Sequence, residues 1–228
     1  MTAERTARQP SPLVIVKLGG SLARSQALRA WLDSVARHGV GRVVIVPGGG
    51  RFADAVRTAQ ARWRFSDAAA HDMALLAMEQ FGLMLCALDS RLRAARNRTE
   101  IARARAAGAL PVWLPSKWLV RSASIRKSWD VTSDSLAAWL ARELHAQHLV
   151  LVKSCRIPAT TTVAALARAG IVDRTLPGMI RGAGFDTHVM GRDDYRQFSG
   201  MFDSAAGTVS SHAPIARRTS AMHVASRP

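Results

Sequence analysis

The sequence predicts an α/β protein built on an open, mainly parallel sheet with helices covering both faces. Short apolar runs rich in β-branched residues alternate with stretches of helical periodicity, and most of the junctions carry glycine or small polar residues. The runs are apolar throughout rather than alternating, as strands buried on both faces require. With 228 residues and 48% hydrophobic content, the chain is also long and apolar enough to fill such a core.

The elements follow in order. Leu13 to Leu18 reads as a buried strand ending in Gly19-Gly20-Ser21, and Leu28, Trp31, Leu32 and Val35 recur at helical spacing after it. The pattern repeats with Arg42 to Val46, the turn Pro47-Gly48-Gly49-Gly50 and a helix from about Phe52. A long helix is then expected, its apolar face running from Ala70 through Met73, Met78, Phe81, Leu85 and Leu88 to Leu92, with His71 and Asp72 near its start, off the centre of that face and able to point into a cleft. The arginine cluster Arg91, Arg93, Arg96, Arg98, Arg103 and Arg105 falls where this helix should end and a connection begin. Leu110 to Leu114 reads as a strand and Pro115 to Trp129 as a loop or hairpin. Thr132 or Ser133 is a natural N-cap for a helix with Leu136, Trp139, Leu140 and Leu144 on its apolar face, which puts Asp134 in the first turn. Leu149 to Val152 is the fourth strand, with Lys153 and Ser154 at its C-terminal edge. Ala164 to Ala169 suggests a short helix, and Thr187 to Met190 and Gly207 to Val209 two further strands. The expected organisation is one domain, residues 13–211, between a flexible tail at 1–12 and a flexible basic tail at 212–228.

Charge and composition exclude several classes. The 32 Lys and Arg against 16 Asp and Glu give a formal net charge of +16, which calls for an anionic partner: nucleic acid, a membrane surface or a small phosphorylated substrate. No apolar run reaches the roughly 18 residues of a membrane span, and Lys17 interrupts the first apolar stretch, so neither a membrane nor a secretory leader is expected. Cys86 and Cys155 lack metal-site or disulfide spacing and read as buried free thiols in a reducing cytoplasm. The arginine cluster has little aromatic interleaving on which bases could stack, so it reads as a solvated helix face rather than a nucleic-acid groove.

Three features converge on the C-terminal ends of strands, where ligands bind in open α/β sheets. They are Lys17 with Gly19, Gly20 and Ser21, then Gly48 to Gly50, then Lys153. Glycines let backbone N–H groups approach phosphate oxygens, and a helix N-terminus adds partial positive charge. Two such loops could hold two phosphates, with the lysines countering the charge that a migrating phosphoryl group spreads over its oxygens. Neither turn is a Walker A or GxGxxG match, and glycines that only make tight turns remain the alternative.

Val14-Ile-Val-Lys-Leu-Gly-Gly-Ser21, the Val-Pro-Gly-Gly-Gly turn at 46–50 and Thr132-Ser-Asp-Ser-Leu-Ala-Ala138 together resemble the amino acid kinase superfamily over about Leu13 to Val209. The resemblance implies that Lys17 stabilises the transferring phosphoryl group and that Gly19, Gly20 and Ser21, with Lys153 and Ser154, hold ATP phosphates. It implies further that Gly48, Gly49 and Gly50 hold the acceptor, that Asp134 orients the lysines, and that the cofactors are ATP and Mg2+ in a homo-oligomer. A narrower match lies in His71-Asp-Met-Ala-Leu-Leu-Ala-Met78 with Gln80-Phe-Gly82, in Trp129-Asp-Val-Thr-Ser-Asp-Ser135 and in Leu151-Val-Lys-Ser154. These are similar to the 5-(aminomethyl)-3-furanmethanol phosphate kinase branch, which implies phosphorylation of a phosphate monoester to a diphosphate for methanofuran-type cofactors of one-carbon metabolism, with His71 lining the acceptor pocket.

The chain departs from the superfamily after the fourth strand. Lys153-Ser-Cys-Arg-Ile-Pro158 stands where an acidic Asp-x-Asp-Gly-Val turn is usual, and no lysine follows Lys153; Arg181 is the late cation, and it is not assigned to the site. A non-catalytic relative that binds or stores nucleotides or anions is therefore the alternative function.

Overall fold

The computed structural model describes residues 12–119, 125–158 and 161–203. Strand β1 (Val14–Leu18) runs into a single 3-10 turn at Gly20–Arg24, and helix α1 (Ala27–His38) returns along the sheet. Strand β2 (Val43–Pro47), α2 (Gly50–Trp63) and α3 (Asp67–Leu88) follow, then β3 (Leu92–Ala95), α4 (Arg98–Ala106) and β4 (Leu110–Trp113). A short α5 (Ser116–Leu119), α6 (Ser133–Glu143), β5 (His148–Val152), α7 (Val163–Arg168), α8 (Leu176–Ile180), β6 (Asp186–Met190) and α9 (Gly200–Asp203) complete the described chain.

The six strands form one sheet in the order β3-β4-β2-β1-β5-β6, with every pairing parallel. β1 is central, and the chain leaves it toward β2 on one side while β5 docks on the other. Its register aligns Leu18 with Pro47 and with Val152, so the segments after all three strands emerge together at one edge. That edge, beside the strand where the chain changes direction, is where an open α/β sheet builds its ligand crevice.

Alternate residues of each central strand serve opposite cores. Ile15, Val44, Val46, Leu149 and Leu151 face one side, packed with Leu136 and Leu140 of α6. Val14, Val16, Val43, Ile45 and Val150 face the other, with Trp31 and Val35 of α1 and Phe81 and Leu85 of α3. The Trp31 indole, fully buried, donates to the Arg192 carbonyl at 2.8 Å and meets Phe198 edge-on, tying α1 to the segment after β6. On the α6 side Trp113 and Trp139 stack at 5.8 Å, and Trp118 of α5 closes edge-on over both.

Several sequence expectations need correction. The long helix stops at Leu88, because the Asp89 carboxylate accepts the backbone N–H and guanidinium of Arg91 and turns the chain into β3. Leu92 is thus a buried strand residue rather than the end of a helical stripe, and Met73 and Leu88 are exposed rather than core. The arginine-rich stretch is strand β3 and helix α4, not a connection, and the segment after Leu114 opens with a helical turn. Cys155 is exposed, because it lies past the end of β5; Cys86 is half-buried, and both are free. The first glycine loop leads into a 3-10 turn, so α1 begins at Ala27, away from the loop. Apart from Pro12, the expected tails and the strand at 207–209 lie outside the described residues.

Leu92 provides a check on the corrected edge of the sheet. Leu92→Ala empties a fully enclosed site and should cost about 2–5 kcal/mol in chemical denaturation. An unchanged denaturation midpoint would return Leu92 to the surface.

Candidate active site

Lys17 lies on the central strand one residue before its end, and its ammonium reaches Asp134 Oδ1 at 2.8 Å. Lys153, directly after β5, reaches Asp134 Oδ2 at 2.7 Å. Side-chain exposure is 6% for Lys17, 3% for Asp134 and 13% for Lys153, so one carboxylate bridges two ammonium groups almost out of water. Burial alone would push the Asp134 carboxyl up, but the two lysines outweigh it and hold it below the usual aspartate range. Burial and the repulsion of Lys17 push the Lys153 ammonium down against the pull of Asp134.

Asp134 projects from the first turn of α6, and a second aspartate anchors that turn. The Asp173 carboxylate accepts from the backbone N–H of Thr132 at 2.8 Å, from that of Ser135 at 3.0 Å and from the Thr132 hydroxyl at 2.5 Å. Thr132 occupies the N-cap position, but its hydroxyl is turned to Asp173, so the cap comes from 41 residues downstream. The backbone N–H of Asp173 also donates to Asp134 Oδ2 at 3.3 Å.

The two glycine loops press backbone to backbone. A Cβ on Gly20 would sit 2.1 Å from the Gly50 nitrogen, and one on Gly48 would sit 2.4 Å from the Gly20 nitrogen. Gly50 itself has φ of 52°, which disfavours any residue with a Cβ. The glycines therefore allow the loops to interlock as well as to approach a ligand.

Two cavities meet at this point. The first, about 320 Å³, is lined by Lys17, Gly20, Ser21, Gly49, Gly50 and His71, on a floor that includes Leu75, Met78 and Leu136. The second, about 350 Å³, contains Lys17, Asp134 and Lys153 with Asp173 and Arg174. Gly19, Gly48 and Ser154 line neither. Gly19 donates to the Val152 carbonyl at 3.1 Å, Gly48 is buried in the loop contact, and the Ser154 hydroxyl accepts from Ser21 at 2.9 Å. His71 is buried, and burial lowers its pKa against the Ser128 carbonyl it bonds and the nearby Asp72, which keeps the imidazole neutral near pH 7. Asp72 is turned instead to Lys127 at 2.8 Å.

Sequence reasoning missed Arg24, Arg51, Arg57 and Trp129 on the first cavity, and Asp173 and Arg174 on the second. Arg51 and Arg57 follow the second glycine turn on α2, a proximity that could have flagged them. Nothing local marks Asp173. Among the described residues no group of three or more His, Cys, Asp and Glu side chains is placed to hold a metal ion.

Removing the shared carboxylate would leave two buried ammonium groups facing each other. Asp134→Asn should therefore destabilise the protein by about 3–5 kcal/mol. A carboxyl held below its unfolded pKa contributes stability above the ordinary aspartate range and loses it as the pH falls toward the folded value. Urea titrations across acidic pH should show that slope in the wild type and a weaker one in Asp134→Asn; parallel slopes would mean that Asp134 is not the coupled group.

The geometry can be set beside known proteins. The chain is 29% identical over 138 residues to (5-(aminomethyl)furan-3-yl)methyl phosphate kinase of Methanocaldococcus jannaschii, an overlap of 60% of this chain and 63% of the relative, so it spans under two thirds of that protein's length. Uridylate kinase from Archaeoglobus fulgidus superposes with a TM-score of 0.60 at 14% identity, covering 84% of this chain and 95% of its own. Isopentenyl phosphate kinase of T. acidophilum superposes with a TM-score of 0.53 at 14% identity, covering 83% and 95%. At these identities the two structures show a shared fold. The sequence model of the amino acid kinase family matches residues 12–155, from just before β1 to just after Lys153. Lys17, Asp134 and Lys153 all lie inside that match, and the chain belongs to the amino acid kinase family.

Proposed function

We propose that this protein is an ATP-dependent phosphotransferase that converts a small phosphate monoester, an aminomethyl-furanmethanol phosphate, into its diphosphate. The observation that carries the reading is the placement of the Lys17–Asp134–Lys153 cluster where two cavities of comparable size meet. One cavity accepts the acceptor and the other the nucleotide, and the phosphoryl group crosses between them at Lys17. The furan acceptor is taken from the name of the archaeal relative. A cavity with an apolar floor, arginines on its wall and a neutral His71 suits a phosphorylated ring.

The chemistry needs charge more than base. An oxygen of the acceptor phosphate bonds to the γ-phosphorus while the bond from that phosphorus to the β,γ-bridging oxygen breaks, and the electron pair leaves with ADP. A dianionic phosphate has no proton to shed, so a neutral imidazole is consistent with positioning rather than proton abstraction. Lys17 and Lys153 counter the charge spread over the transferring oxygens. Gly20, Ser21, Gly49 and Gly50 offer backbone N–H groups to phosphates, with Gly19, Gly48 and Ser154 holding those loops in place. Asp134 keeps the two ammonium groups apart from each other and aimed at the junction.

Magnesium is expected to enter with the nucleotide. Asp134 has both oxygens on lysines and Asp173 has both on the α6 turn, so the described residues offer no protein cage. The ion would be held mainly by phosphate oxygens and water, and no step above passes through it. The reading places the enzyme in the cytoplasm, as a homo-oligomer supported by the exposed Leu76 and Leu83 of α3, making a precursor of methanofuran-type cofactors.

The test is turnover. Purified protein with ATP, Mg2+ and the furan phosphate should release ADP and form the diphosphate, detected by phosphorus NMR. Lys17→Ala should lower kcat by a factor of about 10²–10³, the usual loss when one preorganised charge-stabilising donor is removed. Nucleotide binding without turnover on this or other small phosphate monoesters would favour the storage alternative.

A further inference from the structure

Resting on the phosphotransfer reading, we propose that Arg57 is a catalytic residue, a guanidinium that contacts the phosphoryl group as it passes between the cavities, with Trp129 as the platform that positions it. Among the described residues four line both cavities: Lys17, Arg57, Trp129 and Thr132. Two of these are cations, and they differ in how far they are committed elsewhere. Lys17 is buried against Asp134. Arg57 has a side chain 50% exposed and a 3.3 Å contact to Asp54, itself 57% exposed and also 3.7 Å from Arg24. Exposed pairs of this kind contribute about 0–1 kcal/mol, so a multiply charged phosphate competes for Arg57 with little opposition.

The guanidinium is nevertheless held in place. Its carbon lies 4.3 Å from the centroid of the Trp129 ring. The indole N–H of Trp129 donates to Gln60 Oε1 at 2.6 Å, and Gln60 in turn donates from Nε2 to the Phe65 carbonyl and to Asp67. Arg57 and Gln60 lie on the same helix, so α2 carries both the cation and the anchor of its aromatic platform. A planar guanidinium stacked on a ring keeps its N–H groups at the edge, where they can be shared by two oxygens of one phosphoryl group. A guanidinium in this place stabilises charge without moving a proton.

The charge balance points the same way. Asp134 supplies one negative charge to two lysines, which leaves a single net positive charge at the cluster. Transfer between two phosphates gathers several negative charges at the junction, and among the described residues Arg57 is the one arginine that lines both cavities.

Arg57→Ala and Arg57→Gln should lower kcat by about 10²–10³ in the furan phosphate assay, with the thermal midpoint nearly unchanged. Arg57→Lys should recover little, because an ammonium neither stacks nor forks. Arg62→Ala, on the same helix outside both cavities, serves as the charge control and should behave as wild type. If Arg57→Ala does not fold, Arg57→Gln, which keeps most of the stem over Trp129, decides. Turnover within about twofold of wild type in a folded Arg57 variant overturns the proposal. Calorimetric titration with a non-hydrolysable ATP analogue separates this result from a wrong acceptor. Even if wild type does not use the furan phosphate, Arg57→Gln should bind the analogue at least about tenfold more weakly, the size of one charge-assisted hydrogen bond, and equal affinity overturns the proposal.

Discussion

One carboxylate shared by two buried ammonium groups is the constraint around which the site is built. A lysine almost out of water is costly unless it is paired, and two lysines on neighbouring strands would drive those strands apart. Asp134 removes both problems, but only if the first turn of α6 is held to within an ångström or so of the ends of β1 and β5. Asp173 supplies that hold, taking up the otherwise unpaired N–H groups of the turn and donating its own N–H to Asp134. The register of β1 with β5, which sets Lys17 beside Leu151 two residues before Lys153, completes the arrangement. Sheet register, helix capping and site electrostatics are therefore one structural problem.

The segment after β5 that departs from the family takes on a definite role in this light. Lys153 stands where an acidic turn is usual, and its ammonium reaches the same carboxylate as Lys17. The end of β5 thus provides the second lysine of the cluster, in a chain that has no lysine beyond it. Among the described residues Arg181 lines neither cavity, which agrees with leaving it unassigned.

The central strands, the glycine turns and Lys17, Asp134 and Lys153 were legible because each has a local signature: a β-branched run, paired glycines, a carboxylate after a capping residue. Strand β3 was not, since Leu-Arg-Ala-Ala is a four-residue edge strand with no β-branched residue and one charge. Helix α4 buries little beyond Ile101, so its hydrophobic pattern is faint. Its cap, however, was readable: Asn97 accepts from the Glu100 N–H at 2.9 Å while Glu100 reaches back to the Arg96 N–H at 2.8 Å, a variant of the reciprocal box that Asn-x-x-Glu allows. The contributions of Asp173 and Trp129 depend on contacts across the fold and leave no mark in neighbouring residues. Backbone interlock between Gly20 and Gly50 is of the same kind: the sequence shows two glycine turns, and only the β1–β2 register brings them into contact.

The excess of positive charge looks different once its geometry is known. Several arginines of the 91–105 stretch have partners in the fold, Arg91 on Asp89 and Asp33, Arg96 and Arg98 on glutamates and Arg105 on the Gly41 carbonyl. Among the described residues four other arginines lie over aromatic rings, including Arg42 over Phe202 and Arg57 over Trp129. What separates Arg57 from the rest is its location, since it alone of these faces both cavities. A site that transfers a phosphoryl group to another phosphate has no proton to remove from a dianionic acceptor, and its difficulty is the repulsion between the two reactants. Such a site needs cations that do not repel each other before the substrates arrive. On the reading proposed above, Asp134 meets that need for the lysines, and the weak contacts of Arg57 with Asp54 and Trp129 meet it for the guanidinium, holding it in place while leaving it free to exchange those partners for phosphate oxygens.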